Sequence, residues 1–217
     1  MNEKQIIEKT VDYVRKELEG EGSGHDWWHI YRVWKNALHI SAHENVDQFV
    51  VEMAALLHDI GDWKFHHGDE SVGPRLAREW MTSLPIEEER IAHICSIIEH
   101  LSFKGAGTKS VMNTLEGMIV QDADRLDAIG AIGIGRAFAY GGFAHQEMYN
   151  PTFEPTYHQT FEEYKKAKTT TIHHFYEKLL LLKDRMNLPS SKAIAEKRHA
   201  YMVDFLEQFL NEWNGKA

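Results

Sequence analysis

Apolar positions recur at helical spacing along nearly the whole chain. Ile7, Val11, Val14 and Leu18 fall three or four residues apart, the period of a helix with one buried face. Gly20, Gly22 and Gly24 end that segment. Asp26 stands where an N-cap belongs, and the spacing predicts a second helix from there to about Ala42. Asp47 caps a third in "QFVVEMAALLHDI", which stops near Gly61. A fourth covers roughly Ser71 to Ser83 and is closed by Pro85. The fifth, "IEEERIAHICSIIEHL", opens with acids in its first turn, where the helix dipole favours them. After the loop "SFKGAGTKS", a sixth helix runs from about Thr114 to Ile129, and a seventh continues past Gly130, Gly133 and Gly135 to Tyr140. Gly141 to His158 reads as a loop from its Gly-Gly, Asn-Pro and Glu-Pro pairs. Two long amphipathic helices, about Thr160 to Leu182 and Ser190 to Trp213, complete the chain. No segment shows the two-residue period of a strand, so the expected class is all-α. With no repeat and no Pro/Gly/Ser linker, one domain over residues 1–217 is expected.

A chain of 217 residues can bury a core without disulfides. Its one cysteine, Cys95, lies in the apolar run "IAHICSII" and reads as a small buried hydrophobe in a reducing compartment. The first twenty residues alternate charge with apolar residues, unlike a signal peptide. No apolar run approaches the length of a membrane span, so a soluble, cytoplasmic protein is expected. The net charge of -9, from 33 acids against 24 bases, argues against nucleic acid as a partner. It leaves room for a small phosphorylated ligand, because a bound cation neutralises phosphate locally. Fourteen histidines is a high count, and their spacing decides what they mean.

Three stretches concentrate the chemistry. "HDWWHIYRVW" holds His25, Asp26 and His29; "LLHDIGDW" holds His58, Asp59 and Asp62; "VQDADRLDAIG" holds Asp122, Asp124 and Asp127. Carboxylates inside an apolar helix are costly to bury unless they are paired or bind a metal. Two imidazoles with two carboxylates suit a divalent ion of the first transition row better than calcium or a thiolate-selected metal. The residues alone leave His25 open against His29, and Asp127 against Asp124.

A helix histidine, a His-Asp pair about thirty residues on and an aspartate in a later helix together resemble the HD-domain superfamily of metal-dependent phosphohydrolases. The matching elements are "HIYRV", "HD" and "ADRLDAIG", and they cover roughly residues 20–140. "HDWWH", "HDIGDWK" and "DADRLDAIGAIGIGR" look like the small stand-alone bacterial HD hydrolases, some of them nucleotide pyrophosphohydrolases. The resemblance implies a helical fold whose metal ligands are His29, His58, Asp59 and Asp124. It places His25 and Asp26 at the helix start, behind the ligands or against substrate. Manganese is the expected ion, with iron, cobalt, nickel, magnesium and zinc as alternatives.

Asp62 sits at the offset where some single-metal members carry an acid, so it is either the general base or a cap near Gly61. Arg32, one turn after His29, is the expected phosphate-reading group of the reaction. Further substrate contacts are expected from Lys64, His93, His100, Lys104, Arg125 and Asp127. Lys109 and Arg136 lie on neighbouring stretches. Binuclear branches of the superfamily use two extra histidines, a role open to His93 and His100. Each lysine also reads as a solvated surface charge, and the arginines as partners of Asp26 or Asp127. Trp27, Trp28 and Trp34 read as packing, with base stacking as the alternative.

The expected activity is hydrolysis of a nucleoside triphosphate to the monophosphate and pyrophosphate. A nucleotidase, a cyclic-nucleotide phosphodiesterase and a guanosine tetraphosphate hydrolase stand as alternatives. A non-catalytic metal or nucleotide sensor is the alternative outside enzymes. The expected partner is a small nucleotide, and the aromatic C-terminal helices leave a homodimer open.

Overall fold

The computed structural model describes residues 1–20, 26–61, 69, 71–101, 112–156 and 169–216. These residues form helices and turns and no strand, so the protein is all-α as the periodicity predicts. The α-helices are α1 (Glu3–Glu17), α2 (Trp27–Ser41), α3 (Gln48–Leu57), α4 (Val72–Thr82), α5 (Glu88–His100), α6 (Leu115–Asp127), α7 (Gly130–Phe143), α8 (Thr171–Glu177) and α9 (Pro189–Trp213). A 3₁₀ helix, Leu179–Arg185, lies between the last two. No helix among the described residues is long and apolar enough to cross a membrane.

Two compact units divide the chain. The described residues of Met1–Phe103 and Ser110–Asp124 form one, and those of Arg125–Ala217 the other.

In the first unit α3 is the central helix. Phe49, Val50, Val51, Met53, Ala54, Ala55, Leu56 and Leu57 are all buried, leaving only its Gln48 and Glu52 partly open. A helix apolar on all sides is stable only inside a core. Helices α1, α2 and α5 pack against it, and α4 packs on α5. Leu56 and Leu57 are each fully buried, which stabilises the unit by about 1.5–3 kcal/mol apiece.

Local signals set the ends of these helices. Asn2 and Gln5 form a reciprocal capping box at 3.0 Å that starts α1. Asp47 accepts from the N–H groups of Phe49 and Val50 at the start of α3, and its carboxylate takes Arg90 Nε at 2.8 Å from α5. Three bonds fasten α6. Thr114 Oγ1 accepts from Gly117 N, Asn36 Nδ2 donates to Ala123 O at 3.4 Å, and Gln121 Nε2 donates to His100 O at 3.3 Å.

In the second unit α7 packs on α8 and α9, and the 3₁₀ helix joins both α8 and α9. Phe138, Phe175, Phe205 and Phe209 form its aromatic core, with ring centroids 5.9–6.4 Å apart. Gly141 allows α7 to approach α8, because a Cβ there would lie 2.2 Å from Thr171 Oγ1.

Three boundaries differ from the sequence expectation. Helix α6 stops at Asp127, two residues early, because Gly130 turns the chain at φ +76°. Helix α7 runs on through Gly141 to Phe143, so the loop begins later. The segment expected as one helix from Thr160 to Leu182 has α-helix only over Thr171–Glu177 among its described residues. Lys178, at φ -139° and ψ -59°, breaks it, and the leucine run continues as 3₁₀. Residues 157–168 lie outside the described residues.

Candidate metal centre

The site is built within the first unit from α2, the end of α3 and α6. Asp26 Oδ1 caps α2 by accepting from His29 N at 2.9 Å, so it holds the backbone of the histidine expected as a ligand. The His29 side chain is wholly buried on the inner face of α2. His58 is the residue that ends α3, and the chain then tightens into a turn closed by Ile60 N donating to Leu57 O at 3.2 Å. Leaving the helix there lets two adjacent residues, His58 and Asp59, face one point. In continuing helix they would diverge by about 100°. Gly61, at φ +74°, completes the turn.

Four donor atoms converge. His29 Nε2 lies 3.2 Å from His58 Nε2, 3.2 Å from Asp59 Oδ2 and 3.7 Å from Asp124 Oδ1. His58 Nε2 lies 3.8 Å from Asp59 Oδ2 and 3.9 Å from Asp124 Oδ1. His29, His58 and Asp59 form the tightest group, each offering one ligand atom within 4.8 Å of the others. Asp124 closes the set through its contact with both rings.

The donor set fits a divalent cation. An ion held at about 2.0–2.2 Å by nitrogen and oxygen places neighbouring donors roughly 3–4 Å apart, as found here. His58 Nδ1 donates to Ala55 O at 2.9 Å, which keeps the proton on that nitrogen and leaves the Nε2 lone pair facing the cluster. Exposure rises across the group: the two imidazole side chains are at most 3% exposed, Asp59 is 18% and Asp124 36%. The site is therefore closed behind the histidines and open beside Asp124.

Of the other residues expected at the site, Arg32 lies on α2 one turn after His29 and is half-buried. His93 bonds through Nε2 to Thr114 Oγ1 at 3.1 Å, a contact that ties α5 to the start of α6. His100, the exposed last residue of α5, donates from Nδ1 to Ser96 O at 2.7 Å. In the second unit, Arg125 is buried and donates to Arg185 O. Asp127, also buried, pairs with Arg136 at 3.0 Å. Burial pulls the Arg198 guanidinium below its ordinary range, against the opposing effect of Asp127. His25, Asp62, Lys64, Lys104 and Lys109 lie outside the described residues. Sequence reasoning missed Ala55, whose carbonyl fixes the His58 tautomer. An alanine carries no chemical signal, and only its place three residues before the histidine marks it.

The HD domain family matches residues 27–129. The uncharacterized protein YpgQ of Bacillus subtilis is 35% identical over 212 residues, covering 96% of this chain and 94% of YpgQ. Its crystal structure in complex with ADP aligns at TM-score 0.76 and 32% identity, over 98% of this chain and 96% of that one. A crystal structure from Lactobacillus plantarum aligns at TM-score 0.88 and 34% identity, over 99% of this chain and 100% of that one. An HD-superfamily hydrolase from Bacillus thuringiensis is 44% identical at TM-score 0.75, over 98% of this chain and 99% of that one.

Proposed function

The chain belongs to the HD-domain superfamily of hydrolases, and within it we propose a divalent-metal-dependent phosphohydrolase that converts nucleoside triphosphates to monophosphates and pyrophosphate. The observation that carries this reading is the convergence of His29, His58, Asp59 and Asp124 on one point, with its open side at Asp124. The ADP bound by YpgQ, a relative over nearly the whole chain, supports a nucleotide as the ligand class. The mixed nitrogen and oxygen donors suit a divalent ion of the first transition row, and manganese is the ion proposed.

A cation in this site would supply Lewis acidity, making water more acidic and polarising a phosphoryl oxygen. The chain's own groups do the rest. His29 and His58 are fixed by burial and by the Ala55 carbonyl, so the centre needs little rearrangement. Arg32, one turn from His29, supplies positive charge for the phosphates. Asp62, three residues beyond Asp59, takes the proton of the attacking water. The water oxygen bonds to phosphorus as the bridging P–O bond breaks, and pyrophosphate leaves with that electron pair.

Product analysis tests this directly. Nucleoside mono-, di-, tri- and cyclic phosphates and guanosine tetraphosphate are incubated with protein and Mn²⁺, with Asp59→Ala as the blank. Monophosphate plus pyrophosphate from triphosphates is the expected outcome. Orthophosphate alone would make the protein a nucleotidase. No product from any nucleotide, with metal bound, would leave a sensor and overturn the hydrolase reading.

A further inference from the structure

Four aromatic residues, Trp27, Trp28, Tyr31 and Trp34, crowd the start of α2, and packing accounts for three of them. Trp27 is 7% exposed and has the Arg15 guanidinium 4.9 Å from its ring centroid. Trp34 donates from Nε1 to Glu52 at 2.9 Å and has Lys35 Nζ 4.5 Å above its ring. Tyr31 makes near-perpendicular ring contacts with Trp28 and Trp34 and has the same ammonium 5.4 Å from its centroid. Trp28 differs. It is 58% exposed, and the ring nearest to it among the described residues, Tyr31, meets it at 79° with centroids 5.9 Å apart. That near-perpendicular contact orients the indole and leaves more than half of the residue in solvent. An indole held there is a large, rigid surface with few rotatable bonds, which suits it to contact a ligand.

The helix places this ring one residue before His29, the two side chains about 100° apart around the axis. His29 and Trp28 are adjacent, and Arg32 lies three residues after one and four after the other. Residues at those spacings are neighbours on a helix surface. Arg32 therefore stands between the metal ligand and the indole. Lys35, seven residues after Trp28, continues the cationic strip on the same face. A ligand that carries negative charge near Arg32 and a flat aromatic ring a helical turn away matches that strip.

We propose that Trp28 is the stacking platform for the nucleobase, with the phosphates passing Arg32 to the metal centre. This rests on the nucleotide reading above and sharpens it. Every base has a π-face, so a stack selects for the presence of a base and little for its identity. The substrate class is then nucleotides broadly, recognised by base and phosphate together.

The test compares two ligands that differ by the nucleoside. ADP and inorganic pyrophosphate are titrated calorimetrically into Mn²⁺-loaded wild type, Trp28→Ala and Trp28→Phe. Circular dichroism confirms the fold, which a change at this exposed position leaves intact. Trp28→Ala weakens ADP about tenfold, the loss of one base–aromatic stack, and leaves pyrophosphate unchanged. Trp28→Phe retains most of the ADP affinity. Equal weakening of both ligands, or of neither, overturns the platform. The assay needs no turnover, so a wild type that binds ADP through Trp28 yet hydrolyses nothing sinks only the hydrolase reading. Turnover with binding independent of Trp28 sinks only the stack.

Discussion

His29 and His58, 29 residues apart in the chain, meet Nε2 to Nε2 at 3.2 Å with their ring planes 70° apart. His58 Nδ1–H donates a hydrogen bond to the Ala55 carbonyl, which leaves its Nε2 as an acceptor. Two carboxylates close the other sides of the same point. A cation is the partner that satisfies four such donors at once, and the burial of both rings makes leaving them unsatisfied costly.

Metal should therefore stabilise the fold through these side chains. With free Mn²⁺ at one hundred times its dissociation constant, binding contributes about 2.7 kcal/mol. For a chain of this size, that is a rise in Tm of roughly 5–10 °C over the chelator-treated protein. His58→Ala abolishes the rise. The comparison is between metal and chelator for each variant, since losing a buried imidazole lowers stability by itself. A His58→Ala protein that keeps the full metal-dependent shift would remove His58 from the ligand set.

Asp62 is assigned the proton of the attacking water, and Asp62→Asn isolates that role. The amide keeps the size and loses the basicity. Turnover falls about 10²–10⁴-fold, the range of general base catalysis, while Mn²⁺ affinity stays at the wild-type value. Loss of metal in the same variant would make Asp62 a ligand instead.

The four side chains that converge were legible in the sequence because they combine spacing with residue type. Residues alone left His25 against His29 and Asp127 against Asp124. The "HIYRV" and "ADRLDAIG" contexts selected His29 and Asp124, and those two side chains meet at the site. The α8 segment was less legible for a physical reason. Buried Leu179 and Leu182 lie three apart, a spacing that both an α-helix and a 3₁₀ helix allow. Only Lys178, breaking the helix at ψ -59° and φ -139°, decides between them, and lysine carries no breaker signal. Arg125 and Asp127 illustrate a second limit. Both are expected at the substrate, and the pairings they make in the fold, Arg125 with the Arg185 carbonyl 60 residues on and Asp127 with Arg136 nine residues on, come from tertiary packing that no local pattern marks.

The turn after α3 gives a sharper test of how the site is positioned. Gly61 sits at φ +74°, and a Cβ there would lie 2.9 Å from both Leu76 Cδ1 and Val72 Cγ1. Gly20 has φ +84° with open space around it. Alanine at either position costs about 1–3 kcal/mol of backbone strain. Only Gly61→Ala also pushes against α4 beside His58 and Asp59. Both variants lose stability in urea titrations, and only Gly61→Ala weakens Mn²⁺. Equal metal affinity in the two would show that the turn does not aim the ligands.

His199 on α9 makes the second unit acid-sensitive. Burial holds its imidazole below the ordinary pKa of 6.5, and the Lys183 ammonium adds to this, against the weaker pull of Asp184 and the Leu180 carbonyl. Its Nδ1 is buried with no hydrogen-bond partner among the described residues, so a proton added there finds no acceptor. Between the folded and unfolded pKa values the unfolded chain binds more protons, and stability rises with pH through that interval. The contribution is therefore present above about pH 6.5 and is lost as pH falls through the lower, folded value. Urea midpoints measured at pH 7.5, 6.5 and 5.5, in chelator to silence the metal centre, should fall towards acid in wild type. His199→Gln cannot take up that proton, so its midpoint falls less over the same range. Parallel pH slopes for the two proteins would show that His199 does not carry the effect.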